Sequence, residues 1–142
     1  MTSLLTLLLL LAAQQPLTMD QVKAERDPER RAKAAVEFAA VAERSAEAAY
    51  AKGDLPGVAA DLARMVEAVE LARQSFEQTG RSPGRHPGPY KQAELKTQDI
   101  LVRLNDLQRR MDAEERDSVE VPKTKVQEIH DAWFEGIMGR KR

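Results

Sequence analysis

Apolar residues in the middle of the chain recur at alternating steps of three and four, which is the spacing of one face of a helix. The first such series is Leu55, Val58, Leu62, Met65, Val69, Ala72 and Phe76. The second is Tyr90, Ala93, Thr97, Ile100, Leu104, Leu107 and Met111. These series predict helices from about Leu55 to Gln78 and from near Pro89 to about Met111. Their seven-residue repeat predicts coiled-coil-like packing between helices.

The stretch before these two helices is rich in alanine and begins with a helix-start signal. Asp27 can cap a first turn, and Pro28 suits the first helical position. We predict a helix from Pro28 to about Lys52, with an alanine face that allows close approach of neighbouring backbones. Its bulkier side chains are Phe38, Val41 and Tyr50. Gly53 then ends the helix and predicts a short turn to an antiparallel neighbour.

A proline interrupts the last helical stretch. We predict a short fourth helix from about Lys123 to Met138, kinked near Pro122 because proline lacks a backbone donor. Its apolar face comprises Val126, Ile129, Trp133 and Ile137. No segment alternates as a strand does. The fold class predicted for residues 28–142 is therefore all-α, an antiparallel four-helix bundle with up-down-up-down order. The polar residues 14–27 are predicted to be a lead-in that is helical in part.

The N-terminal residues have a different pattern. From Leu4 to Ala13 the chain is apolar except at Thr6. This run is shorter than the roughly 20 residues that span a bilayer, and it fits the apolar core of a secretory signal. We therefore expect residues 1–13 to be a signal peptide cleaved near Ala13. The mature protein would be periplasmic or secreted, without a stable membrane span. A buried first helix is the alternative.

Composition narrows the classes of function. Charged residues make up 32% of the 142 residues, the formal net charge is -1, aromatic residues make up 4%, and cysteine is absent. The nearly neutral charge and the scarcity of aromatic residues argue against nucleic-acid binding. Without cysteine the chain has no disulfides and no thiolate chemistry.

The residue patterns of common catalytic and metal sites do not occur in the sequence. The residue three positions before His130 is Gln127, so the Glu-x-x-His pattern of di-iron bundles is missing. A Gly-x-Ser-x-Gly elbow, a phosphate-binding P-loop and an EF-hand are missing as well. We therefore expect no enzymatic activity, no metal and no cofactor.

The loop TGRSPGRHPGPYK, residues 79–91, is unusual in composition. Its three prolines and three glycines fit a segment that ends one helix, reverses the chain and starts the next. Its charges are all cationic and are accompanied by one histidine. Because a helix start presents outward N–H groups, we predict a candidate anion-binding site here. The residues of this site are Arg81, Arg85, His86 and Lys91.

Two short stretches resemble known families. Leu17-Thr18-Met19-Asp20-Gln21 resembles the Leu-Thr-x-x-Gln motif of the Spy/CpxP family of periplasmic helical chaperones. This resemblance implies a role in binding unfolded clients or in stress signalling. Ala49 to Asp54 resembles the turn of a tetratricopeptide repeat, although no second copy follows at a 34-residue period. We interpret this second resemblance as the same kind of turn between two helices, and not as membership of the repeat family.

These observations favour an exported, non-enzymatic helical bundle that acts by binding another protein. Two helices with regular apolar faces could also pair between two chains, so a homodimer is left open. One alternative is a Spy/CpxP-like chaperone or stress-response protein. The other is a small-anion or metal-binding protein that uses the loop of residues 79–91.

Overall fold

A computed structural model describes residues 17–139, and the predicted signal peptide lies outside this range. The described chain is all-helical, as predicted. It contains five helices, namely α1 (Met19–Ala24), α2 (Pro28–Ala51), α3 (Leu55–Gln78), α4 (Pro87–Arg110) and α5 (Ala113–Ile137). The polar lead-in is therefore helical in part, as expected.

The short helix α1 begins with a reciprocal cap. The Gln21 backbone N–H donates to Thr18 Oγ1 at 3.2 Å, and the Thr18 backbone N–H donates to Gln21 Oε1 at 3.0 Å. This capping box satisfies two of the N–H groups that a helix start leaves free. Val22 is fully buried, and Lys23 forms a 2.8 Å ion pair with Glu67 of α3. The threonine and glutamine of the Leu-Thr-x-x-Gln motif thus have a local structural role.

The turn between α2 and α3 forms as the sequence predicts. Gly53 adopts a φ of 72°, a left-handed conformation that glycine reaches without steric cost. Asp54 then caps α3 by accepting from the Gly57 backbone N–H at 3.0 Å. The three residues between the helices leave α2 and α3 as antiparallel neighbours.

The prediction of a short last helix is wrong. α5 begins at Ala113 and runs through Pro122 without a break. The Asp112 backbone N–H donates to Glu115 Oε1 at 3.0 Å, which supports the helix start. Val119 is fully buried, and Lys123 donates to Gln108 of α4 at 2.6 Å. These contacts offset the backbone hydrogen bond that Pro122 removes, a cost of about 3 kcal/mol in a helix interior.

The helices pack as two hairpins side by side. α2 contacts α3 and α4, and α5 contacts α3 and α4. Glu37 pairs with Lys96 and Glu47 pairs with Arg110, so residue numbers rise together along α2 and α4. Glu70 likewise pairs with Lys125 of α5. α2 therefore lies beside α4, and the two helices run in the same direction.

The interior matches most of the predicted apolar faces. Every residue of the two regular series is buried except Leu55. The prediction that Phe38, Val41 and Tyr50 provide the bulky side chains of α2 in the interior is partly wrong. Val41 is 51% exposed, and Phe38 and Tyr50 are only partly buried. At 100° per residue, Val41 lies about 150° around the helix from the centre of the buried alanine face. Small side chains therefore form most of the buried face of α2.

The loop between α3 and α4 is held against the end of α5. A Cβ atom added to Gly136 would lie 2.8 Å from Cγ of Pro83, which is closer than side chains can approach. The proline ring in the loop therefore packs directly on the backbone of α5. This contact gives Pro83 and Gly136 a structural role that the loop's composition alone did not reveal.

Gly136→Ala should destabilise the protein by about 1 kcal/mol, because the methyl group would push Pro83 away from α5. We expect the melting temperature followed by circular dichroism to fall by a few degrees. Gly88→Ala is the matched control, since nothing lies within 4 Å of a Cβ atom at Gly88. An unchanged melting temperature for Gly136→Ala would contradict the close packing of the loop.

Candidate functional site

A groove of about 680 Å³ lies between the first halves of α2 and α4. Three of its lining residues, Val36, Phe76 and Ala93, are buried and form an apolar floor. Leu95 also lines the groove and is 53% exposed. The charged side chains along its walls are Glu29, Lys33, Glu37, Lys96 and Asp99. The groove thus combines apolar surface with charges of both signs.

Aromatic packing supports the floor of the groove. The ring of Phe76 stacks on Tyr90 with a centroid distance of 4.4 Å and meets Trp133 edge-on at 5.5 Å. Across the groove, Lys96 Nζ lies 3.1 Å from Glu37 Oε1. The groove is therefore built on helices that are joined to one another by aromatic and ionic contacts.

The loop of residues 79–91 lines a second, open pocket of about 370 Å³ beside the groove. The structure brings Arg81, Arg85 and His86 together around this pocket, while Lys91 does not line it. Glu29 of α2 lines the pocket too and lies 3.5 Å from Arg81. The predicted cationic cluster therefore shares its pocket with a carboxylate from another helix.

The start of α4 offers few backbone donors to an anion. Pro87 and Pro89 lie in its first turn and have no N–H group. The backbone N–H of His86 already donates to the carbonyl of Ser82 at 3.0 Å. Tyr90 Oη also donates to the carbonyl of Arg81 at 2.6 Å, which fixes the loop. The side chains of Arg85 and His86 would therefore have to supply most of the attraction for an anion.

A second polar cluster joins α2 and α4 beyond the groove. Glu43 is fully buried, and its Oε2 accepts from Arg103 Nε at 3.1 Å. The same Arg103 Nε donates to Glu47 Oε2 at 3.0 Å, and Arg110 lies 3.3 Å from the other oxygen of Glu47. The remaining oxygen of Glu43 has no hydrogen-bond partner among the described residues. Two carboxyl groups of α2 thus share the guanidinium of Arg103, and one of them, Glu47, contacts the guanidinium of Arg110 as well.

The environment of Glu43 favours its neutral form. Burial, followed by the hydrogen bond and the charge of the neighbouring Glu47, raises the pKa of the Glu43 carboxyl to about 8. The attraction of Arg103 acts in the opposite direction and lowers the same pKa. Glu43 therefore keeps its proton at neutral pH.

His130 connects α4 and α5. Its Nε2 lies 3.0 Å from Oε1 of Glu94, and its Nδ1 lies 3.0 Å from Oδ1 of the adjacent Asp131. The hydrogen bond from His130 is the largest cause of the lowered pKa of Asp131. The contact with Glu94 therefore joins α5 to α4, whereas the contact with Asp131 lies within α5.

Two observations apply to residues 17–139 as a whole. None of the histidine, aspartate and glutamate side chains in this range are grouped in threes in a way that could hold a metal ion. No helix within the same range is both long and apolar enough to cross a membrane.

The burial of Glu43 could have been predicted from the helical pattern of the sequence. Val36, Ala39, Glu43 and Ala46 follow steps of three and four, so Glu43 occupies a position of the buried face. A charged residue at such a position indicates a buried polar contact. Its partner Arg103 could not be identified, because the relative alignment of α2 and α4 is set by tertiary packing. The groove depends on the same alignment.

Comparison of the chain with models of protein families, with curated proteins and with solved structures finds no match.

Proposed function

We propose that this chain is an exported, non-enzymatic protein whose four long helices form a bundle that alternates up and down. In this proposal its signal peptide is cleaved near Ala13, and the mature protein acts by binding another protein in the groove between α2 and α4. The observation that carries the proposal is the buried apolar floor of the groove beside the exposed side chain of Leu95.

A protein segment suits the groove better than a small polar ligand does. The groove is formed by two neighbouring helices, and an amphipathic helix commonly binds such a surface with its apolar face. Charges of both signs along the walls would pair with charges flanking that face, which favours specificity. The amphipathic helix of a partner protein is therefore the occupant that we propose.

The two alternatives have weaker support. Eight large apolar side chains are exposed among residues 17–139; one precedes α1, six are distributed over the four long helices, and one lies just after α5. This distribution favours a single groove over one continuous chaperone surface. The anion-binding alternative would rely on Arg85 and His86, since Arg81 pairs with Glu29.

Photo-cross-linking from position 95 should capture the partner. A photoreactive residue in place of Leu95, in the mature protein within its native envelope, is expected to give one discrete adduct. Leu95→Glu in the groove should reduce recovery of that partner about tenfold, because a charge would replace an apolar contact. Position 128 is the matched control, since Glu128 is exposed on α5 away from the groove lining.

Three results would separate the hypotheses. One adduct from position 95 and none from position 128 supports the groove. A heterogeneous series of adducts from both positions favours the chaperone alternative. The proposal is contradicted if position 95 gives no adduct at all.

A further inference from the structure

The groove and the second pocket adjoin each other and share part of their lining. The residues that line both of them are Glu29, Phe76, Gly88 and Pro89. The groove follows residues 88–99 of α4 for about 16 Å, which is the length of three helical turns. The pocket lies at the end of the groove where α2 and α4 both begin. A helix bound along the groove therefore directs one of its ends at the loop of residues 79–91.

Most charges that line the groove and the pocket are already paired within the chain. Glu37 forms an ion pair with Lys96, and Glu29 forms one with Arg81. All of the remaining charged side chains of the lining are exposed, so a bound molecule can pair with them. Those that make no ion pair within the part of the chain that the structure describes are Lys33, Arg85 and Asp99.

The unpaired charges are separated by sign along the groove. The Glu37–Lys96 pair shows which residues of α2 and α4 are level with each other. Lys33 lies one turn before this pair on α2, and Asp99 lies one turn after it on α4. Arg85 lies beyond Lys33, in the loop before α4. The groove is therefore positive at the loop and negative at the opposite end, about 10 Å from Lys33 along the helices.

This separation of charge fits a helix bound in one direction. The C-terminus of a helix carries about half a negative charge from its peptide dipoles, and its N-terminus carries the corresponding positive charge. A bound helix whose C-terminus points at Lys33 and Arg85 has each end beside the opposite charge. Because α2 and α4 both begin at the loop, such a helix runs antiparallel to both of them.

A chain that ends at the loop would use Arg85 better than a helix that continues into further residues. An internal helix end presents only carbonyl oxygens and a partial charge. A terminal carboxylate adds a full negative charge, and a guanidinium can bind it through two parallel N–H groups. The second pocket, at about 370 Å³, is large enough to hold a terminal residue.

We propose that the groove binds the C-terminal amphipathic helix of a partner protein, antiparallel to α2 and α4, with the terminal carboxylate of the partner at Arg85. The last three turns of the partner cover the groove, with their apolar side on its floor. Asp99 faces the first of these turns, and Lys33 faces the last. This inference rests on the proposed function and adds which end of the partner binds and in which direction. It also accounts for the cations of the loop, which a turn between two helices does not require.

Cross-link mapping tests the direction of binding. Positions 88 and 95 lie two turns apart on the same side of α4, and nothing lies within 4 Å of a Cβ atom at Gly88. With a photoreactive residue at position 88, mass spectrometry should place the cross-link in the last turn of the partner's chain. The cross-link from position 95 should map about seven residues earlier in the same chain. Sites in an internal segment of the partner, or sites in the reverse order, overturn the inference and leave the proposed function.

Synthetic peptides of the captured C-terminal segment test the role of the carboxylate. The peptide with a free carboxylate should bind about tenfold more tightly than the same peptide with a C-terminal amide, because only the former carries the charge that Arg85 pairs with. Arg85→Gln should abolish this preference. Lys91→Gln is the matched control, since Lys91 is a cation of the same loop that does not line the pocket. That variant should keep the tenfold preference.

Arg85→Gln is expected to fold like the parent, because Arg85 is exposed. An unchanged melting temperature checks this. Equal affinities of the two peptides for the parent overturn the inference, and so does an equal loss of preference in Arg85→Gln and Lys91→Gln. Either result together with a discrete adduct from position 95 leaves the proposed function in place. The absence of any adduct from position 95 removes the proposed function and this inference with it.

Discussion

Leu104→Asp should unfold the protein. Leu104 is fully buried in the middle of the regular apolar face of α4. An aspartate there would be a buried charge without a partner, which costs several kcal/mol in addition to the lost apolar contacts. Because small domains are stable by only about 5–15 kcal/mol, this one change removes most or all of the stability. Loss of the helical circular dichroism signal at 25 °C is the expected measurement.

Val102→Asp is the control for this prediction. Val102 lies two positions before Leu104 on the same helix but is 53% exposed. The substitution introduces the same charge on the solvent side, so we expect a change within about 0.5 kcal/mol. If Leu104→Asp and Val102→Asp melted alike, the assignment of the buried face of α4 would be wrong.

The stability of the parent should fall as pH rises from about 5 to 8, relative to that of Glu43→Gln. The pKa of Glu43 is raised from its ordinary value of 4.5 to about 8 in the folded chain. Between these values the folded state binds the proton and the unfolded state does not, so stability decreases with increasing pH. The slope is about 1.4 kcal/mol per pH unit, and the whole window amounts to about 5 kcal/mol.

Urea unfolding of both proteins at pH 5, 6, 7, 8 and 9 measures this difference. The parent should lose stability relative to Glu43→Gln up to pH 8 and show little further change above it. Groups remote from Glu43 titrate alike in both proteins, so their contributions cancel in the comparison. Parallel stability curves for the two proteins would mean that the folded state does not hold the proton on Glu43.

Sequence pattern predicted the parts of the fold that depend on one helix at a time. The faces of α3 and α4 were predictable because their apolar spacing follows the turn of a single helix, and Gly53 identified the turn before α3. The length of α5 was not predictable from Pro122, since contacts to α4 and a buried Val119 compensate for the proline. The misplaced bulk at Val41 has a related cause, because the interior side of α2 is formed mostly by alanines, with Val36 and Glu43 as the larger buried side chains.

The candidate sites depend on how two helices pack against each other, so they were harder to predict from the sequence. The loop of residues 79–91 was recognisable from composition, but its pairing with Glu29 of α2 required the tertiary structure. The groove and the Glu43–Arg103 contact likewise depend on how far α2 is shifted along α4. Sequence spacing within either helix contains no information about that shift.

The capping box of α1 bears on how short sequence motifs are compared between proteins. The side chains of Thr18 and Gln21 each accept a hydrogen bond from the other residue's backbone N–H at the first turn. Helix initiation by itself therefore accounts for the spacing of these two residues. Unrelated chains that start a helix in the same way can acquire the same letters independently. Shared ancestry with the periplasmic chaperones would therefore have to be argued from residues outside this turn.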